Sequence, residues 1–286
     1  MKKTLIYLAL LFICSACGKK EKLLIGGPGW PQIAILDKAS ARIEWSHPLT
    51  PEEECNDVEM TPRGEILYAY RGGARLITRK HQTVWDYRAG EPEAVYTATC
   101  LDSGHYLLAI AGVPVMRIVE LDGQGVPVRE LTFRTATQDI TRQFRHILKT
   151  PQHTYLIPLT DKHKIVELNE DGKAIRSIYS GGDPVGVVLA ENGNWLVSGG
   201  DSRCILEIQP EARTTVKTVG TKDLNYGSLT HVGEIIRYKN GNTLIANRDE
   251  KTQHALLEIS PENKVVWSLP YVREISNIST VYSFFQ

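Results

Sequence analysis

The residues best suited to chemistry are scattered along the chain but recur in type. Asn56 and Asp57 lie in ECNDVEM, Gln143, Arg145 and His146 in RQFRHIL, and His231 and Glu234 in THVGEII. Tyr96, Thr97, Asp183 and Asn277 occupy comparable places beside apolar stretches. A histidine set among an arginine and carboxylates can act as a general base or a nucleophile. The arginine can then hold an anionic group such as a sulfate, a phosphate or a uronate carboxylate. His146, Arg145, Asp57 and Glu234 are therefore the candidate catalytic residues. Asn56, Tyr96, Thr97, Gln143, Asp183, His231 and Asn277 are candidate ligand contacts. Each also has a structural reading: His146 as a satisfied core histidine, Arg145 as an ion-pair partner of Asp57 or Glu234, and the group as the ordinary polarity of a water-filled channel. Asp57, Glu234, Asn56 and Asn277 are hard oxygen ligands of the kind Ca²⁺ takes. No dense acidic loop accompanies them, and no cofactor is expected. GGPGWP at 26–31 lacks the following helix that a phosphate loop requires, and neither HExxH nor CxxC occurs.

What could bring such distant residues together is a repeat. A short apolar strand recurs around Leu24, Leu67, Leu107, Leu156, Leu196 and Leu244, at spacings of 43, 40, 49, 40 and 48 residues. Each is followed by a second strand and then, in most cases after a polar turn, by a third. A further strand precedes five of the six, at 56–60, 96–101, 145–148, 185–189 and 234–237. The first unit lacks one, and the tail ISTVYSF at 278–284 can supply it. Four strands per unit at this period predict an all-β, six-bladed β-propeller whose first blade is completed by the C-terminal strand. Closure also removes exposed sheet edges. No stretch has a sustained helical period, so helix should be scarce. The innermost strand of each blade would line a central channel. The loops entering those strands would carry the candidate residues to one mouth.

Trp45, Trp85 and Trp267 fall at matching places near the end of the third strand. IAILDKASARIEWSH and ALLEISPENKVVW resemble the Trp-docking repeat of quinoprotein-like propellers, and NGNTLI resembles blades of arylsulfotransferase-like propellers. The resemblance implies that these Trp residues pack between blades. Three units carry Arg129, Arg176 and Lys217 nearby instead, and a quinone cofactor does not follow. Arylsulfotransferase-like propellers use a channel-mouth His with an Arg and further His residues. The matching positions here are His146 and Arg145, with His231 as a second His.

The first residues read as a processing segment: Lys2 and Lys3, then an apolar run from Leu5 to Ile13 that is short for a bilayer span. Cys14-Ser15-Ala16-Cys17-Gly18 resembles a bacterial lipobox. This divides the chain into a signal peptide (1–16), a lipid-anchored tether (17–22) beginning at lipidated Cys17, and the propeller (23–286). The short tether would hold the propeller close to its membrane, where Lys19, Lys20 and Lys22 could meet anionic head groups. Net charge is zero, and loss of Lys2 and Lys3 leaves the remainder near −2. No long basic run is present, so nucleic acid is not an expected partner. Cys55, Cys100 and Cys204 read as buried, inert thiols.

The expected protein is a bacterial cell-envelope lipoprotein, on the periplasmic or outer-membrane side. Its channel mouth would bind a small or glycan-type ligand or an envelope protein partner. The alternative is a transferase, lyase or hydrolase acting on an anionic or carbohydrate substrate with His146 and Arg145.

Overall fold

A computed structural model describes residues 19–134, 137–248, 254–270 and 274–286. Six four-stranded antiparallel sheets follow one another as blades 1 to 6. In blade 1 the strand Thr280–Phe285 pairs with Glu21–Gly26, matching Leu24 to Tyr282 and Gly26 to Thr280. The chain's end thus supplies the innermost strand of its first blade. The remaining helix, among the described residues, is three single 3₁₀ turns: Ile140–Arg142, Thr160–Lys162 and Thr221–Asp223.

The core lies between the blades, in six clusters that each draw on two neighbours. Side chains on a strand alternate between its faces. Leu23 therefore packs toward blade 6 with Leu244 and Leu256, while Leu24 packs toward blade 2 with Val58 and Tyr68. Both faces of the central strands are buried, which is why they are continuous apolar runs such as YLLAIA at Tyr106–Ala111. The outermost strands face solvent on one side, and Pro127–Arg134 alternates accordingly.

Neighbouring blades are also fastened by one equivalent residue in each outermost strand. Trp45, Trp85, Arg129, Arg176, Lys217 and Trp267 each pair across their sheet just before a β-bulge. The Trp45 indole N–H donates to the Arg79 carbonyl of blade 2 at 2.9 Å, and Trp267 to the Lys38 carbonyl of blade 1 at 3.2 Å. Lys217 reaches the Pro261 carbonyl at 3.1 Å, Arg129 the backbone and side chain of Glu170, and Arg176 the Glu211 carboxylate at 2.9 Å. Trp85 packs its ring against Gly125 and Tyr106 of blade 3, with its N–H unpaired. The three blades without Trp thus use a cation for the same reach. Burial pushes the Cys55, Cys100 and Cys204 thiols above their usual range; Cys55 and Cys204 are buried as expected, whereas Cys100 is half-buried.

Two expectations need correction. The first strand begins at Glu21, inside the stretch 17–22 expected as a tether. Lys22 is no head-group contact. It is buried, in register with Asp37, and its ammonium meets Asp37 at 2.6 Å and Glu44 at 2.7 Å. In addition, the innermost strand of blade 4 is only Leu148–Lys149, so Arg145, His146 and Ile147 precede it as irregular chain. Cys17 and the proposed signal peptide lie outside the described residues.

The seam between blades 6 and 1 centres on Lys38. Its ammonium lies 2.7 Å from Glu21 and 2.6 Å from Glu258, with the Tyr238 and Trp267 rings at 4.8 and 5.5 Å. Lys38→Met keeps the aliphatic stem and strands both carboxylates. It should cost about 3 kcal/mol in urea unfolding; a loss below about 1 kcal/mol would contradict the importance of this seam. Burial raises the Glu21 pKa, but hydrogen bonds from Lys38, Tyr238 and Ser283 prevail and hold it below its ordinary 4.5. A depressed carboxyl stabilises the fold above its unfolded pKa and loses that contribution as pH falls through the folded value. The cost of Lys38→Met should therefore shrink in unfolding measurements taken progressively below pH 4.5.

Candidate functional site

The strands that line the channel are distorted where they enter it. In blade 2 the register slips between Cys55 and Asp57, in blade 3 between Val95 and Thr97, and in blade 6 between Val232 and Ile235. A bulge leaves a residue unpaired and re-aims side chains. The residues at these slips are Asn56, Tyr96, and Gly233 with Glu234, all but Gly233 expected site residues. Gly233 has a separate reason to be glycine: a Cβ there would sit 2.5 Å from the Ser279 carbonyl oxygen. The close approach lets the Glu234 N–H donate to that oxygen at 2.9 Å, tying blade 6 to the returning C-terminal strand.

At the mouth is a cavity of about 200 Å³ to which every blade contributes. Its polar lining is mostly basic: Arg71, Arg145 and Arg248 with His146 and His231, against the single carboxylate of Glu54. Asn56 and Tyr96 also line it. Arg145 is held by the Tyr96 ring, its guanidinium carbon 4.1 Å from the ring centre, and Tyr96 in turn meets Phe144 edge-on. Asn56 donates to the Val95 carbonyl at 2.9 Å. His231 Nδ1 pairs with Asp201 at 2.7 Å. Burial depresses the His231 pKa despite that carboxylate, while the hydrogen bond from His231 holds Asp201 below its usual range.

Inside this mouth a second cavity of about 230 Å³ runs between the six innermost strands, lined by Asp57, Glu59, Thr97, Thr99, Glu234 and Tyr282 among others. His146 borders both spaces. Donor atoms of Asp57, His146 and Glu234 lie within 4.8 Å of one another. The Asp57 carboxylate accepts from Val58 N–H at 3.0 Å and Ala98 N–H at 2.9 Å. The Glu234 Oε2 accepts from Val281 N–H at 2.8 Å and from the Thr280 hydroxyl at 2.7 Å. Thr97 places His146 from both sides. Its hydroxyl donates to the Arg145 carbonyl at 2.8 Å and accepts from Ile147 N–H at 3.0 Å.

This crowding moves the titrations. Burial, then repulsion from Asp57, pushes Glu234 up to about 7. Burial opposes charge on His146, but Asp57 and Glu234 outweigh it and raise its pKa. Burial also pushes Glu59 up to about 7, against hydrogen bonds from Thr99 and Cys100. The site can thus hold an anion at its basic mouth and a cation or exchangeable protons in its acidic channel.

Asp57, His146 and Glu234 therefore meet, with Arg145 beside them at the mouth. Asn56, Tyr96 and His231 join Arg145 there, and Thr97 sits in the channel wall. Three expected contacts lie elsewhere. Gln143 is buried, and its carboxamide clamps the N–H and carbonyl of Gly112 at 3.1 and 2.8 Å. Asp183 pairs with His163 at 3.0 Å. Asn277 lines neither cavity, and its backbone carbonyl rests against Gly27. The four oxygen ligands suggested for Ca²⁺ are consequently not one set. Glu59, Arg71, Arg248 and Thr280 were missed. Glu59 sits two residues beyond Asp57 on the same face of its strand. Arg71 and Arg248 each follow directly on their blade's second strand, one position beyond Tyr70 and Asn247, a coincidence readable by superposing the repeats.

Comparisons with known proteins follow the architecture. A protein of unknown function from Bacteroides caccae is 32% identical, with a TM-score of 0.87, over 92% of this chain and 98% of that one. A streptogramin B lyase structure shares the fold at 13% identity and a TM-score of 0.61, covering 95% of each chain. A catalytically inactive virginiamycin B lyase from Staphylococcus aureus, solved with quinupristin, does so at 11% and 0.63, covering 94% of this chain and 93% of that one. No curated protein sequence matches the chain. The family model described as Mal s 1 allergenic protein-like matches residues 30–268, and with the relative from Bacteroides caccae this shows that the chain belongs to that family.

Proposed function

We propose that this protein is a cell-envelope lipoprotein, anchored through Cys17, whose propeller binds a small anionic ligand at the channel mouth, an acidic sugar being the class that fits best. The observation that carries this reading is the charge of the mouth. In a chain of zero net charge, three arginines and two histidines surround one cavity with a single carboxylate among them. Bringing the three guanidinium groups together costs repulsion that an anionic ligand relieves. Arg145, braced on Tyr96, offers a pre-oriented guanidinium for a carboxylate or sulfate. At about 200 Å³ the space is below the ~300 Å³ at which drug-sized pockets begin, so it suits one sugar ring or a comparable group.

An enzymatic reading rests on His146. It stands next to Arg145 at the boundary of mouth and channel, so an anion held by the arginine would lie near an imidazole able to accept a proton. Proton abstraction beside a uronate carboxylate, as in a lyase, is the reaction this would serve. Incubation with uronate oligosaccharides distinguishes the readings. New chain ends that appear with the native protein and vanish in His146→Ala mark an enzyme, whereas saturable binding without turnover marks a binding protein.

Two outcomes test the binding reading. Calorimetric titration with glucuronate, galacturonate and sulfated sugars should give saturable binding that the matched neutral sugars lack. Arg145→Gln should weaken it about tenfold or more, the value of one charge-assisted hydrogen bond. Equal affinity for neutral and acidic sugars would contradict the assignment. The affinity should also fall as salt rises from 50 to 300 mM, because exposed Arg71 contributes through screened charge; salt independence would argue against an electrostatic mouth.

A further inference from the structure

The channel holds a histidine nitrogen that makes no hydrogen bond to any of the described residues. His146 Nδ1 is buried and has no hydrogen-bond partner. Its nearest carboxylate oxygen, Asp57 Oδ1, is 3.5 Å away. That is too long for a good N–H···O bond, which falls at ~2.7–3.2 Å. It is close to the separation of two ligands on one tetrahedral ion, roughly 3.4 Å for metal–ligand bonds of ~2.1 Å. Glu234 completes a set of three donors within 4.8 Å.

The three are also prepared as ligands are. Backbone N–H groups of Val58 and Ala98 fix the Asp57 carboxylate. Among the described residues, Thr280 and Val281 both donate to Oε2 of Glu234. Thr97 and the Val185 carbonyl fix the backbone on both sides of the imidazole. Outer partners of this kind orient metal ligands and tune their affinity. Deprotonated, as metal ligands are when they bind, the two carboxylates and the imidazole carry a charge of −2, which a divalent cation would balance.

We propose that Asp57, His146 and Glu234 bind a first-row divalent cation, Zn²⁺ by preference, in the upper channel. One imidazole nitrogen in the set favours such an ion over Ca²⁺, which takes six to eight oxygens. Three protein ligands leave a coordination position toward the space that His146 shares with the mouth. This site does not depend on the mouth binding an anion.

The test is titration of the full-length, metal-stripped protein with Zn²⁺, and separately with Co²⁺ to read the ligand field by visible absorption. One equivalent of Zn²⁺ should bind at micromolar concentration or tighter and raise the melting temperature, and equal Ca²⁺ should not displace it. Glu234→Gln, nearly isosteric, and His146→Ala should each weaken binding at least tenfold, with circular dichroism confirming that both fold. His81→Ala guards against a surface site, since His47 and His81 approach Nδ1 to Nδ1 at 3.0 Å on the exposed outside of the propeller; binding should survive that change. Binding weaker than millimolar would overturn the assignment. So would binding unchanged in folded Glu234→Gln and His146→Ala, or binding lost in His81→Ala.

Discussion

Everything in this molecule depends on the last strand meeting the first. When Thr280–Phe285 pairs with Glu21–Gly26, blade 1 becomes four-stranded and the ring has no open edge. The same strand carries Thr280 into the channel. Its hydroxyl accepts from Val58 N–H at 3.2 Å, donates to Glu234 at 2.7 Å, and lies 3.2 Å from Asp57. A single contact thus joins blades 1, 2 and 6 beside the two carboxylates that approach His146. Fold closure and site assembly are the same event, because the Thr280 hydroxyl, Val281 N–H and the Ser279 carbonyl all hold Glu234.

The channel inherits a gradient of charge. Basic side chains ring the mouth, carboxylates line the interior, and His146 stands between them. At the mouth Arg145 rests on the Tyr96 ring and His231 pairs with Asp201. The carboxylates are held mainly by backbone N–H groups and hydroxyls. Burial pushes both Glu234 and Glu59 up to about 7, and the charge of Asp57 adds to it.

Repetition made the fold readable. Leu24 and its five counterparts mark buried strands because both faces of those strands are covered, and that demand writes the same apolar run six times. The convergence of Asp57, His146 and Glu234 was legible for a related reason: polar residues at blade positions built for apolar ones stand out against the repeat. The bulges were not legible, since a register slip at Asn56 or Tyr96 leaves no mark in residue type. Gln143 was misjudged because a buried carboxamide clamping the Gly112 backbone and a ligand contact look alike in sequence. Lys22 was misjudged because its partners, Asp37 and Glu44, come from two other strands of its blade. The cations Arg129, Arg176 and Lys217 replace Trp through the reach of their side chains, a likeness that appears only once the strands are in register.

The central claim is that the mouth is an anion site built on Arg145. Its most direct measurement is the nuclear magnetic resonance of the arginine Nε–Hε groups during titration with galacturonate and, separately, galactose. The account predicts that the Arg145 signal, with those of Arg71 and Arg248, shifts saturably with the acid and stays in place with the neutral sugar. Arginine signals that respond identically to both sugars, or to neither while another surface of the propeller responds to the acid, would contradict it.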